Sequence, residues 1–255
     1  MIEISSIHKQ FEDKKVLDDI NATFENGVTN LIIGQSGAGK TVLMKCIVGL
    51  LRPDKGRVAY DGRDITTLKP KEMIALRREI GMLFQNAALF DSMTVLENVM
   101  FPLDMFSSMT YKERLARARA CLDRVNLIDA QDKLPEEISG GMQKRAAIAR
   151  AIALKPQYLF CDEPNSGLDP QTSLIIDELI HDITREYNIT TVINTHDMNS
   201  VMGIGDHILF LAGGKLAWEG DKTQILNSHC TQLNDILFSK RDTAHLSKRE
   251  SCLLL

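Results

Sequence analysis

Apolar and polar positions alternate along the first two dozen residues. IEISSI, from Ile2, and VLDDINATF, ending at Phe24, both bring an apolar side chain back to one face at short intervals, the pattern of half-buried antiparallel strands. Glu25-Asn26-Gly27 interrupts them as a turn. VTNLII then reads as a buried strand ending at Gly34. From Thr41 to Leu51 the spacing becomes helical, and it stops near Arg52-Pro53. GRVAYDGRDI predicts two short strands about an Asp-Gly turn.

From about Ser92 to Ala153 the character changes. TVLENVMFPL and YKERLARARACLDRVNL are helical, with arginines along one face. Strand character returns at QYLFCDEP. A helix is expected over Pro170 to Tyr187, then the strand TTVINTH, then a hairpin in ILFLAGGKLAWEGD about Gly213-Gly214. Strands alternating with helices imply an α/β fold whose mostly parallel sheet is covered on both faces. An antiparallel β region should precede that sheet, and a helical subdomain should be inserted at about 90–155. The expected organisation is one domain over 1–225 and a helical, frayed tail over 226–255.

Composition narrows the class. The 255 residues carry a net charge of −4, whereas a protein that neutralises nucleic-acid phosphates is usually basic. No apolar run approaches the ~20 residues of a membrane helix, and the N-terminus does not read as a signal peptide. Five scattered cysteines form no C-x-x-C and read as reduced thiols rather than a disulfide frame or zinc site. The terminal CLLL matches a prenylation box, a four-residue pattern that arises by chance.

The chemistry begins between that buried strand and the first helix. Gly34 to Thr41 fits G-x-x-x-x-G-K-[ST]. Gly34, Gly37 and Gly39 let the backbone turn tightly, so that N–H groups converge on one concavity, and the following helix points its positive end there. Lys40 would reach the β- and γ-phosphates and the Thr41 hydroxyl would sit on Mg²⁺. Ser36, Ala38 and Val42 complete the nucleotide-holding stretch. The second half of the site should end another buried strand, and YLFCDEP supplies it. Asp162 would hold Mg²⁺, and Glu163 would take a proton from an attacking water.

Between these lies ISGGMQ, Ile138 to Gln143, followed by KRAAIARAIAL. With the loop and acidic strand in place, this resembles the signature of ATP-binding cassette (ABC) ATPases, over nearly the whole chain from about residue 2 to 225. The fold implied is an ABC-type P-loop NTPase with a RecA-like sheet. The resemblance assigns Phe11 to stacking on adenine and Gln85 to Mg²⁺ and the lytic water. It places His196 at the γ-phosphate and Asp169 in a loop linking two sites. Ser139, Gly140 and Gly141 would close over ATP held by a second protomer. A homodimer with composite ATP sites, driving integral-membrane permease subunits, is therefore expected. Met142 and Asn165 depart from the commoner glutamine and threonine or serine, and Ile138 from leucine; none removes a competent group.

Val42 and the Ala-Leu-Phe-Asp-Ser stretch after Gln85 further resemble ATPase subunits of Mla/Mce-type phospholipid transporters. That resemblance implies a place on the cytoplasmic face of the bacterial inner membrane, beside a periplasmic Mce-type lipid-binding subunit. The same catalytic residues would serve a small-solute importer. A soluble non-transport ABC ATPase usually carries two cassettes or long coiled-coil insertions.

Overall fold

The computed structural model describes residues 1–237. The chain opens with β1 (Ile2–Phe11) and β2 (Lys14–Phe24), which pair antiparallel. Strand β3 (Thr29–Gly34) is buried throughout and leads into α1 (Lys40–Ile47). Strands β4 (Lys55–Tyr60) and β5 (Arg63–Asp64) complete a four-stranded antiparallel sheet of order β2-β1-β4-β5. Helix α2 (Pro70–Arg78) and the short β6 (Ile80–Leu83) follow.

Three helices, α3 (Val95–Phe106), α4 (Tyr111–Arg124) and α5 (Gly140–Ile152), form the expected helical insertion. Thr94 and Thr110 start the first two with the same device. Each hydroxyl accepts from the backbone N–H three residues on, and the glutamate there reaches back to the threonine N–H. Such capping boxes satisfy end groups that would otherwise lack partners.

The chain then returns through β7 (Tyr158–Asp162), α6 (Pro170–Tyr187), β8 (Thr190–Thr195), α7 (Met198–Ile204) and the hairpin β9 (His207–Ala212) and β10 (Lys215–Gly220). These strands and β3 and β6 build a six-stranded sheet of order β10-β9-β3-β8-β7-β6. Its ladders are parallel except at β10, which joins β9 antiparallel.

Both faces of this sheet are covered, and successive residues go to opposite cores. Leu159 and Cys161 of β7 pack with α3–α6, whereas Tyr158 and Phe160 pack with α1 and the antiparallel sheet. The pleat has a period of two, so one apolar run feeds both cores. The ends of β3, β7 and β8 lie side by side, with Ile33 opposite Thr195 and Asp162 opposite Asn194. Loops leaving those ends are thereby gathered at one edge. A further helix covers 231–237. The expectation of a frayed end concerns residues 238–255, which lie outside the described residues.

Candidate functional site

The loop from Gly34 to Gly39 leaves β3 with glycines at left-handed φ, +80° at Gly37 and +104° at Gly39. A Cβ at Gly39 would stand 2.9 Å from the Val16 carbonyl oxygen, so the loop closes against β2 only because that position lacks a side chain. Lys40 opens α1 and is buried. Its Nζ donates to the carbonyls of Gly34 at 2.9 Å and Gln35 at 3.3 Å. Desolvation lowers its pKa, opposed by the carboxylates of Glu163 and Asp162. An ammonium has three donors, so the third is available to an anion at the start of α1.

The acidic half meets this loop. Thr41 Oγ1 lies 3.5 Å from Asp162 Oδ1, which also accepts from Asn194 Nδ2 at 3.0 Å. Glu163 follows with left-handed backbone, φ +49°. Its Oε2 lies 2.7 Å from His196 Nδ1. Gln85 Nε2 donates to Ser166 Oγ at 3.2 Å, joining the segment after β6 to the loop after β7.

A cleft of about 930 Å³ brings the glycine loop together with Gln85, Glu163 and His196; Asp162 does not line it and meets it through Thr41. Its walls include Gly34, Ser36, Gly37, Gly39, Lys40, Thr41, Val42, Gln85, Glu163 and His196. Ala38 lines an adjoining cavity of about 270 Å³ with Gln232 and Asp235 of the 231–237 helix. The oxygen donors of Thr41, Asp162 and Gln85 suit Mg²⁺. Among the described residues no group of three or more His, Cys, Asp or Glu could hold a metal alone.

Phe11 and the Ser139–Gly141 stretch are not brought into this cleft. Phe11 is 45% exposed at the end of β1, with Lys9 Nζ 5.5 Å from its ring centroid. Lys14, Lys15 and Val16, which the sequence reading had missed, border the cleft instead. Only their spacing ahead of the glycine loop could have indicated them. Ser139 caps α5 and accepts from Met142 N at 3.3 Å. Asp169 caps α6, accepting from the N–H groups of Gln171 and Thr172, and the Thr172 hydroxyl bond is the main cause of its lowered pKa. The sequence also gave no sign of Asn194, because a buried strand residue reads as core.

A glycine loop opening a helix, a lysine at its base and adjacent acids closing a strand beside it define a P-loop nucleoside triphosphatase. The ABC transporter family pattern matches residues 17–166. The methionine import ATP-binding protein MetN of Haemophilus ducreyi is 40% identical over 237 residues, covering 91% of this chain and 69% of that protein. A probable ribonucleotide transport ATP-binding protein, mkl, of Mycobacterium tuberculosis is 36% identical over 94% of this chain and 67% of its own length. The solved dimeric ATP-binding cassette MJ0796 bound to ADP and Pi superposes with a TM-score of 0.79 at 32% identity, covering 87% of this chain and 99% of that one. The chain belongs to the ABC transporter family; it binds ATP with Mg²⁺ and hydrolyses it in the service of transport.

Proposed function

We propose that two copies of this chain, each built on one ATPase unit over 1–225, power a membrane permease from its cytoplasmic face, and that the cargo is a small solute taken into the cell. Methionine import is the activity named for relatives at 40% and 41% identity, and this supports the small-solute reading. In each copy Lys40 and the loop N–H groups hold the ATP phosphates, and Thr41, Asp162 and Gln85 hold Mg²⁺, which neutralises the phosphate charge. Glu163 accepts the proton of the attacking water. His196, bonded to Glu163, orients that carboxylate and meets the γ-phosphate. Ser139, Gly140 and Gly141 at the start of α5 close over the nucleotide of the other copy, where a helix N-terminus favours an anion. Dimeric MJ0796 supports that pairing. Phe11, exposed at the end of β1 with Lys9 beside its ring, would stack on the adenine.

The observation that carries the proposal is the Glu163–His196 contact at 2.7 Å beside the glycine loop. The permease-facing surface is supported by exposed apolar side chains around the insertion. Phe84, Phe90, Met105 and Phe106 are exposed, and the Phe90 ring stands 4.7 Å from that of Phe101. Among the described residues no helix is long and apolar enough to cross a membrane.

Phospholipid transport across the envelope is a second reading, carried by the Ala-Leu-Phe-Asp-Ser stretch at this surface. The relatives' names speak of methionine and ribonucleotide, not of lipid. Cargo contacts lie on the permease, so the ATPase residues are shared by both readings. Purifying the full chain from membranes in mild detergent separates them. Co-purification of a permease with an amino-acid-binding partner supports import. A permease with bound phospholipid and a lipid-binding partner replaces it with the second reading. Recovery with no membrane protein overturns both.

A further inference from the structure

Lys144 sits in the second turn of α5 and is only 5% exposed. Burying an ammonium is costly unless its donors are used, and an apolar side chain of the same length would fill the space without that cost. Its Nζ donates to the carbonyl of Gln85 and, at 3.5 Å, to the carbonyl of Glu163. These two carbonyls belong to separate loops, one after β6 and one after β7.

The Glu163 carbonyl is held from both sides. It accepts from Ser166 N at 3.2 Å as well as from Lys144, while Glu163 N donates to Asn194 O at 3.0 Å. These bonds fix a residue whose left-handed φ of +49° is disfavoured for any side chain but glycine. The Gln85 loop is anchored to the same helix a second time. Arg150 donates to the carbonyls of Ala88 at 2.6 Å and Ala87 at 2.8 Å, and those two residues also have positive φ. Of these two basic residues only Lys144 reaches both the Gln85 loop and the Glu163 backbone.

We infer that Lys144 is a positioning residue that ties Glu163 and Gln85 of one nucleotide site to helix α5, whose N-terminus serves the other site. Movement of α5, when Ser139–Gly141 engage the second copy's nucleotide, is passed through the Lys144 ammonium to the backbone of the catalytic carboxylate. The proton-accepting geometry in one site thus depends on occupancy of the other. The inference rests on the reading of Glu163 as the base.

Steady-state phosphate release and thermal unfolding of the full chain test it, with Lys144→Met, Lys144→Arg and Glu163→Gln measured in parallel. Lys144→Met should lower kcat by about 10- to 100-fold, the range expected when a catalytic group is misplaced by up to an ångström. KM for MgATP should stay within about twofold, and the melting temperature should stay near that of the parent, because methionine fills the space without a buried charge. It should also flatten a sigmoidal dependence of rate on ATP. Lys144→Arg should restore most of kcat. In a Glu163→Gln background Lys144→Met should cost nothing further, since groups acting through one another are not additive. If Lys144→Met does not fold, Lys144→Gln, which keeps a neutral donor on a shorter stem, takes its place with the same expectations. Full kcat in either folded variant while Glu163→Gln is inactive overturns the inference alone. Full turnover in Glu163→Gln overturns the underlying assignment of the base.

Discussion

At Glu163 the backbone adopts a conformation that costs an L-residue about 1 kcal/mol. The Glu163 carboxylate there meets His196 at 2.7 Å and lines the cleft. Glu163→Gln should therefore keep ATP binding while losing about 10²–10⁴ in kcat, the usual worth of a positioned base. Phosphate release and nucleotide titration together check this, and retained turnover would sink the assignment. The sequence displayed Lys40, Thr41, Asp162 and Glu163 because loop and acids each follow a run of apolar residues. It could not display Lys144 or Asn194. Their identity as site residues depends on which carbonyl or carboxylate the fold brings within reach.

At the scale of elements, α5 and α6 approach so closely that a Cβ on Gly141 would meet Thr172 Cγ2 at 2.5 Å. Gly141→Ala should lower stability by roughly 1–3 kcal/mol through overpacking. Thr172→Ser removes the clashing methyl, keeps the hydroxyl bonded to Asp169, and should recover part of the loss; chemical denaturation of the single and double variants measures it.

Helices α6 and α7 are joined through Asn165, whose Nδ2 donates to Asp177 at 2.9 Å and Ser200 at 3.0 Å. Burial pushes the Asp177 carboxyl up to about 6; the Ser200 and Asn165 bonds oppose this, and Asp197 and Glu178 add to it. Between about 3.8, the unfolded value, and 6 the folded chain binds more protons, so this group's contribution to stability falls as pH rises through that window. Asp177→Asn should consequently be more stable than the parent at pH 8, by at most about 3 kcal/mol. The advantage should fade by pH 4.5, which urea unfolding at the two pH values would read. Equal stability of the two proteins at pH 8 would mean that the carboxylate is better compensated than its burial implies.

Elements were legible in proportion to their burial. Helix α2 and strand β6 escaped the sequence reading. The first buries only Leu76, so it shows little periodicity, and the second has only four residues. The helix expected over Thr41 to Leu51 ends at Ile47 instead, since Val48 is followed by Gly49 at φ +70°.

Across the whole molecule, the start of α5 stands apart from the cleft. Ser139–Gly141 do not line the chain's own cleft, which is the arrangement expected if each copy completes the other's site. The Glu163→Gln protein, which should bind ATP without spending it, is expected to dimerise with MgATP and remain monomeric with MgADP. Size-exclusion chromatography with light scattering distinguishes these, and an ATP-bound monomer at all accessible concentrations would remove the composite-site proposal. Phe90 belongs to this scale too. Asn98, fully buried, accepts from Phe90 N at 2.8 Å and donates to the carbonyls of Phe90, Met93 and Thr94. Asn98→Ala should release that loop and weaken capture of the permease while leaving intrinsic phosphate release largely intact.

The sequence by itself determined the nucleotide chemistry and the order of the main elements. Glycine turns, the lysine and the strand-end acids are local patterns, and buried strands write themselves as apolar runs. The tertiary structure alone decided which remote residues meet. The parallel order β3-β8-β7 sets Asn194 beside Asp162, and the packing of α5 against two loops sets Lys144 on Gln85 and Glu163. Such contacts depend on register and helix placement, which no short stretch of chain encodes.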